Sequence, residues 1–231
     1  MTTLTTTWTI QPLSPFGLLA KTNPGADIYA VPTPILQTWV IEERVVVLRG
    51  FEPLAGDALP EFCETLGMIL ERDASEEEAL PLQWAGAFAA HPPRYVFFHC
   101  DEAAAGGPSG ETLFCDTIRL LEKATPADRE RFLRMRIDYG DGFTSRLIVA
   151  HPITREATVR YVEPSRLAGA GDQEQADFTA DLHRRLHDPA FYYAHAWQSG
   201  DIVIADNHAL LHGHRPRQGG APRRLRRVNI L

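Results

Sequence analysis

Short apolar runs of strand character, separated by Gly, Pro and Asp, dominate the middle and the end of this chain. The runs are Val45–Leu48, Tyr95–Phe98, Leu147–Val149, Val159–Val162 and Ile202–Ala205. Each run is long enough for one strand only, a spacing typical of sandwiches and barrels. Two of them flank Thr154–Glu156 and are predicted to form a hairpin. The pattern predicts a mainly β fold.

Three segments carry helix signals instead. They run from Asp57 to about Arg72, from Thr125 through Phe132 and Leu133, and from Asp172 to about His187. In the first, Phe62, Leu66 and Ile69 are spaced to lie on one apolar face. We expect these helices at the periphery of the β structure, because each has only one apolar stripe to bury.

The length of 231 residues predicts a single domain covering residues 1–231. The net charge of −7 argues against nucleic acid and anionic membranes as partners. Cys63, Cys100 and Cys115 are widely spaced and predict no disulfide framework, so a reducing cytoplasm is expected. No apolar run approaches the ~20 residues that span a bilayer, and no secretory leader is recognised. The oligomeric state is not indicated.

The C-terminal quarter of the chain carries the densest group of polar residues with chemical potential. From Gly200 to His212 the sequence reads GDIVIADNHALLH, and Arg223 lies eleven residues after His212. Residues two apart on a strand share a face, so Arg223 and Arg227 are expected on one side, with Arg224 and Arg226 facing solvent on the other. A planar guanidinium pairs well with a carboxylate, which makes Arg223 and Arg227 candidate anion-binding residues.

These features, with the Gly110-Glu111-Thr112 turn, resemble the TauD/TfdA (taurine dioxygenase and γ-butyrobetaine hydroxylase) family of Fe(II)/2-oxoglutarate enzymes. The resemblance extends from about Val45 to the last residue. It implies a double-stranded β-helix, or jelly roll, with peripheral helices. It also implies that His212 is the distal iron-binding His, that Arg223 clamps the far carboxylate of 2-oxoglutarate and that Thr112 helps to hold that ligand.

The chain departs from the family at the His-x-Asp motif, where it has Gln83-Trp84-Ala85. An imidazole and the only carboxylate of the iron site are thereby missing. Since Fe(II) prefers two imidazoles and one carboxylate, no metal is expected under this alignment. Gln83, Trp84, Ala85 and Tyr161 are then candidates to line a substrate pocket.

An alternative alignment takes His99 and Asp101 as the missing ligands, because residues two apart share a strand face and could join His212. Spacing disfavours it: the family has a crossing loop and a complete strand before the Gly110 turn, and too few residues follow Asp101 for both. Under this alternative the protein is a conventional Fe(II)/2-oxoglutarate oxygenase.

The leading hypothesis is a divergent enzyme of specialised metabolism that acts on a small carboxylate-bearing molecule without the ordinary Fe(II)/2-oxoglutarate cycle. His212 and His208 are its candidate acid–base residues, since histidine titrates near neutrality. No cofactor is assigned; 2-oxoglutarate or a similar carboxylate is the candidate ligand, and Fe(II) belongs only to the alternative. A third hypothesis is a non-catalytic binding protein on the same scaffold.

Overall fold

The fold is described from a computed structural model, which covers residues 8–73, 79–87, 89–103, 110–216 and 223–231. Within these ranges the α-helices are α1 Thr33–Glu43, α2 Ala58–Leu66, α3 Thr117–Lys123, α4 Pro126–Arg134 and α5 Asp172–Leu186. The strands are β1 Thr9–Pro12, β2 Leu18–Ala26, β3 Val45–Phe51, β4 Ile69–Asp73, β5 Leu80–Gln83, β6 Tyr95–Glu102, β7 Thr112–Asp116, β8 Arg136–Asp138, β9 Thr144–Arg146, β10 Ile148–Ala150, β11 Ala157–Val159, β12 Arg166–Leu167, β13 Tyr192–His195, β14 Ile202–Asp206, β15 Leu210–His214 and β16 Arg224–Ile230.

A large sheet has the strand order β1-β2-β3-β14-β6-β16-β4 among the described residues. In its centre, Val203 of β14 lies between Val47 of β3 and Phe98 of β6. Successive side chains point to opposite faces of a strand. These three residues face a second sheet, whereas Leu48 and Phe97 face α1 and α2. Both faces are buried, which explains the continuous apolar runs in the sequence.

The second sheet has the order β13-β7-β15-β5. Phe114 of β7 and Leu210 of β15 pack with Phe98 in the apolar layer between the two sheets. On its outer face, Leu113 and Leu211 pack with residues of α3 and α5. Two facing, mainly antiparallel layers with helices outside form a double-stranded β-helix, so the predicted jelly-roll fold is confirmed.

Helix α2 is shorter than the sequence predicts. It ends at Leu66 instead of near Arg72, and the segment from Ile69 is strand β4, paired with β16. Gly67 packs closely against the last residue: a Cβ added to Gly67 would lie only 1.9 Å from the backbone oxygen of Leu231. Pairing at the edge of the large sheet therefore outweighs the helical spacing of Ile69.

The other predicted elements are found, except that the strand expected at Val159–Val162 lies earlier, at Ala157–Val159, and shares only Val159 with the prediction. β10 and β11 form the expected hairpin, with Ile148 opposite Val159. Helix α4 is capped by Thr125, whose hydroxyl accepts a 3.1 Å hydrogen bond from the N–H of Asp128. Helix α5 begins at Asp172, as predicted. Among the helices in the described ranges, none is long and apolar enough to cross a lipid bilayer.

Candidate functional site

Gln83, the last residue of β5, lies directly opposite His212 of β15 in the antiparallel register. The two strands come close at Gly213, because an added Cβ there would lie 2.5 Å from the carbonyl oxygen of Leu80. Strand pairing therefore brings the first position of the altered motif next to the histidine that the family resemblance selects. This is the arrangement expected if Gln83 replaces a metal-binding residue.

The segment after β5 is held in place by the side chain of Asn207. Its Oδ1 accepts a hydrogen bond from the N–H of Ala85 (3.1 Å), and its Nδ2 donates to the carbonyls of Ala85 (3.0 Å) and Pro93 (2.8 Å). Ala85 is buried in the apolar layer between the sheets. Where the family pattern has a carboxylate, this chain presents a methyl group.

His212 is buried between the sheets, and its ring packs edge-on against Phe98 with 5.9 Å between ring centroids. Its Nε2 has no hydrogen-bond partner among the described residues. Burial, with the positive charges of Arg227 and His214 adding to it, lowers the pKa of His212 to about 3. The imidazole is therefore neutral at neutral pH, with Nε2 able to contact a ligand.

The candidate carboxylate-binding residues lie on or next to two strands: Thr112 begins β7, Arg223 immediately precedes β16, and Arg227 is within β16. Arg223 is buried and donates a hydrogen bond to the carbonyl of Gly110. Gly110 lies two residues before Thr112, whose hydroxyl oxygen accepts a 3.0 Å hydrogen bond from the Trp197 indole. Arg227 is half-buried, and its charge acts on the buried imidazole. The structure thus places Arg223 against the backbone of the turn that precedes Thr112, and the charge of Arg227 near His212.

His99 and Asp101 belong to a different cluster, on the opposite face of the large sheet. His99 Nδ1 lies 2.8 Å from Asp101 Oδ1, and Arg226 Nη2 lies 2.7 Å from the same oxygen. His99 Nε2 accepts a 3.2 Å hydrogen bond from the N–H of Leu54. Because side chains alternate along β6, these residues do not converge on His212, so the alternative iron site is not assembled.

The two arginines expected to face solvent differ from one another. The Arg224 side chain is 68% exposed, as predicted. The Arg226 side chain is only 23% exposed and is ion-paired with Asp101, so the expectation for Arg226 is wrong. The face of β16 opposite the site is covered by the loop at Leu54, whose carbonyl accepts a hydrogen bond from Arg226.

The residues around His212 do not fit an Fe(II) ion. They provide the imidazole of His212 and the amide of Gln83, with the methyl of Ala85 in place of a carboxylate. Within the described ranges, no group of three His, Cys, Asp or Glu residues includes His212. Fe(II) bound by His212 and Gln83 would receive from these residues no negative ligand that offsets its charge. The guanidinium groups of Arg223 and Arg227, in contrast, are suited to the carboxylates of 2-oxoglutarate or a similar molecule.

His208 and Trp84 both contact the buried guanidinium of Arg160, a residue that no sequence pattern marks as part of a site. The guanidinium of Arg160 lies 3.7 Å from the centre of the Trp84 ring, and its Nη2 is 2.8 Å from His208 Nδ1. Burial and the charge of Arg160 lower the pKa of His208 to about 4. His208 therefore does not titrate near neutrality. An arginine within a predicted strand is expected to face solvent, so the sequence does not indicate that Arg160 is buried at this site.

Tyr161 is a core residue and does not line the inner site. It is buried on the outer face of the second sheet, packed edge-on against Phe178 of α5 with 6.0 Å between ring centroids. Its hydroxyl donates a 3.1 Å hydrogen bond to the carbonyl of Ser165. The pocket role expected for Tyr161 is corrected accordingly. The role of Asn207, by contrast, could have been anticipated from the sequence, because Asn207 belongs to the Gly200–His212 segment on which the family resemblance rests.

Comparison with known proteins identifies the relatives of this chain. Residues 73–229 match the family model described as taurine catabolism dioxygenase TauD, TfdA family. The 3-((Z)-2-isocyanoethenyl)-1H-indole synthase of Fischerella ambigua is 35% identical, over 97% of this chain and 96% of that protein. The tyrosine isonitrile desaturase of Erwinia amylovora is 32% identical, over 93% of this chain and 87% of that protein.

Solved structures agree with these matches. The structure of PvcB, described as an Fe, alpha-ketoglutarate dependent oxygenase from an isonitrile synthetic pathway, superposes with a TM-score of 0.86 at 27% identity. The match covers 100% of this chain and 93% of PvcB. AAD-2 in complex with Mn(II) and N-oxalylglycine superposes with a TM-score of 0.81 at 17% identity, over 97% of each chain, and shows the shared fold.

Proposed function

The chain belongs to the TauD/TfdA family of dioxygenases, and we propose that within it this protein acts on a small carboxylate-bearing molecule without the ordinary Fe(II)/2-oxoglutarate cycle. The register of β5 against β15 carries this proposal, because it sets the amide of Gln83 beside His212. With Ala85 as the second altered residue, the part of the chain that the structure describes offers no carboxylate beside His212 to offset the charge of Fe(II).

The relatives suggest the class of molecule. Two of them are named for isonitriles, one built on tyrosine and one on indole. We propose that the ligand is an amino-acid-derived isonitrile of specialised metabolism that retains its carboxylate. In this proposal Arg223 and Arg227 supply charge for that carboxylate, and the hydroxyl of Thr112 is a further candidate to bind it. Phe98 and Trp197, whose ring centroids are 6.1 Å apart, offer aromatic surface to the remainder of the molecule.

The proposed chemistry is proton transfer to His212. A carbon that bears both a carboxylate and an isocyano group carries an acidic C–H, and neutral His212 takes that proton. The C–H electron pair then has two possible fates. It forms a double bond to the next carbon as a leaving group departs from that carbon with its own electron pair, or it takes a proton back from solvent. No oxidant is needed. A carboxylate bound at Arg227 would offset the charge that lowers the pKa of His212, so the base strengthens when ligand binds.

A non-catalytic binding protein is the second candidate. The burial of His212 favours it, because burial lowers the pKa of this histidine to about 3, far from the neutral pH at which proton transfer by a side chain is most effective. In that case the same residues bind the carboxylate, and His212 only accepts a hydrogen bond from the ligand.

Deuterium incorporation separates the two candidates. The purified protein is incubated with tyrosine isonitrile in D2O containing EDTA, without oxygen, and the signal of the C–H next to the carboxylate is followed by NMR. The enzyme proposal predicts loss of that signal faster than in buffer, and loss of the acceleration in His212→Ala. The exposed His91→Ala variant is the matched control.

Each other outcome has a defined meaning. Binding of the isonitrile without accelerated exchange favours the binding protein. Turnover that appears only with Fe(II) and oxygen would overturn the iron-free proposal, and failure to bind any amino-acid-derived isonitrile would overturn the proposed ligand class.

A further inference from the structure

A cluster of metal-binding side chains lies outside the site described above. His183 Nδ1 is 3.0 Å from Glu163 Oε1, and His187 Nε2 is 3.2 Å from Glu163 Oε2. One ligand atom from each of the three residues lies within 4.8 Å of the other two. Among the described residues this is the group of three His, Cys, Asp or Glu side chains that could hold a metal ion.

The chain brings these residues together by simple geometry. His183 and His187 are four residues apart at the C-terminal end of α5, so their side chains lie on the same face, one turn apart. Their rings are in contact, with centroids 4.2 Å apart. Glu163 approaches from the loop that runs beside β5, where its N–H donates a 2.9 Å hydrogen bond to the carbonyl of Leu82.

The Glu163 carboxylate is itself held in position. Its Oε2 accepts a 3.2 Å hydrogen bond from the N–H of Leu82, and its side chain is only 9% exposed. Hydrogen bonds of this kind orient metal ligands and are a common part of metal sites. The His183 side chain is 63% exposed, which leaves a side of the cluster accessible to water and to an incoming ion.

We propose that Glu163, His183 and His187 form a binding site for a divalent cation of the zinc type. Two imidazoles and one carboxylate are a ligand set that Zn²⁺ accepts, with water as the fourth ligand. Zinc–ligand bonds of about 2.0–2.2 Å in tetrahedral geometry place neighbouring ligand atoms about 3.3–3.5 Å apart. The 3.0 and 3.2 Å separations are already close to that value.

The ion would join two parts of the fold. His183 and His187 belong to the end of α5, whereas Glu163 is hydrogen-bonded to β5, the strand that ends at Gln83 opposite His212. Zinc at this position would clamp α5 to the strand that forms one wall of the candidate site. This inference does not depend on the proposed function, since none of its three residues contacts His212 in the strand register.

The experiment is a titration of the metal-stripped full-length protein with ZnCl2, followed by calorimetry and by thermal unfolding. We expect one equivalent to bind and to raise the melting temperature, because the ion binds the folded state. His183→Ala, His187→Ala and Glu163→Gln should each weaken binding at least about tenfold. His91→Ala, which removes an exposed histidine elsewhere, should leave it unchanged.

Glu163→Gln is the sharpest variant, because its amide oxygen can still accept the Leu82 hydrogen bond while the negative charge is lost. Equal melting temperatures of all variants without zinc would show that they fold. Zinc binding that survives Glu163→Gln and both histidine variants, or no binding of one equivalent, would overturn the proposal and leave the cluster as a set of hydrogen bonds. His212→Ala should bind zinc normally.

Discussion

Gln83 and His212 face each other across the β5–β15 pair, and Asn207 ties the backbone of Ala85 next to them. Under the proposed alignment, the positions of Gln83 and Ala85 correspond to two ligands of the family's metal site whose side chains are changed in this chain. We predict that the double variant Gln83→His, Ala85→Asp gains stoichiometric Fe(II) binding, because it restores two imidazoles and a carboxylate. Anaerobic calorimetry with Fe(II) measures the gain.

The triple variant Gln83→His, Ala85→Asp, His212→Ala is the control for that experiment, and it should not bind Fe(II) at this position. A folded double variant that gains no Fe(II) relative to the unaltered protein would contradict the assignment of Gln83 and Ala85 as replaced ligands.

Arg223→Ala is expected to weaken binding of 2-oxoglutarate or a similar dicarboxylate about ten- to a hundredfold. A charge-assisted hydrogen bond contributes about 1.5–3 kcal/mol, and each 1.4 kcal/mol corresponds to about a factor of ten. Arg224→Ala, one residue along the strand with an exposed side chain, should bind the ligand as well as the unaltered protein. Equal losses of ligand affinity in Arg223→Ala and Arg224→Ala would contradict a specific role of Arg223.

Much of this architecture could be predicted from the sequence, because apolar runs bounded by Gly, Pro and Asp are a local signal. Val45–Leu48 and Ile202–Ala205 coincide with the centres of β3 and β14. Strands β1 and β2 and helix α1 had no comparable signal. Ile69 was misassigned to a helix because its strand pairs with residues more than 150 positions away in sequence, a contact that a local pattern does not reveal.

The site was predictable only where a family pattern marks it. The pattern selected Gln83, His212 and Arg223, and strand register explains why they come together. The electrostatic environment was not predictable. Histidine was expected to titrate near neutrality, but burial lowers the pKa of both candidate histidines, and the stacking of Arg160 on Trp84 depends on chain segments that meet only in the fold.

Asp101→Ala is predicted to lower the free energy of unfolding by about 1–2 kcal/mol without changing metal or ligand binding. Its carboxylate binds His99 and Arg226, which lose a partly buried ionic partner. Urea denaturation measures the loss, and Glu102→Ala, an exposed neighbour, is the control. Loss of a bound metal in Asp101→Ala would instead support the iron site that uses His99 and Asp101.

Stability should fall between pH 7 and pH 5 partly through His212. The unfolded chain protonates this histidine below its ordinary pKa of about 6.5, whereas the folded chain resists protonation until about pH 3. Each pH unit between these two pKa values lowers the free energy of unfolding by about 1.4 kcal/mol. His212→Asn should therefore reduce the loss of unfolding free energy at pH 5 by about 2 kcal/mol. Urea unfolding at both pH values tests this, and an unchanged loss would contradict the lowered pKa.

Anaerobic Fe(II) titration of the Glu163→Gln protein, with and without His212→Ala, shows whether His212 holds iron. Glu163→Gln weakens the metal site proposed at Glu163, His183 and His187, so any remaining stoichiometric iron can be assigned to another position. We expect that neither protein binds one equivalent of Fe(II) and that neither couples 2-oxoglutarate decarboxylation to oxygen, and one-equivalent binding at His212 is the result that would overturn the iron-free proposal. One equivalent of Fe(II) that is bound by the Glu163→Gln protein and lost with His212→Ala, together with such decarboxylation, would contradict it.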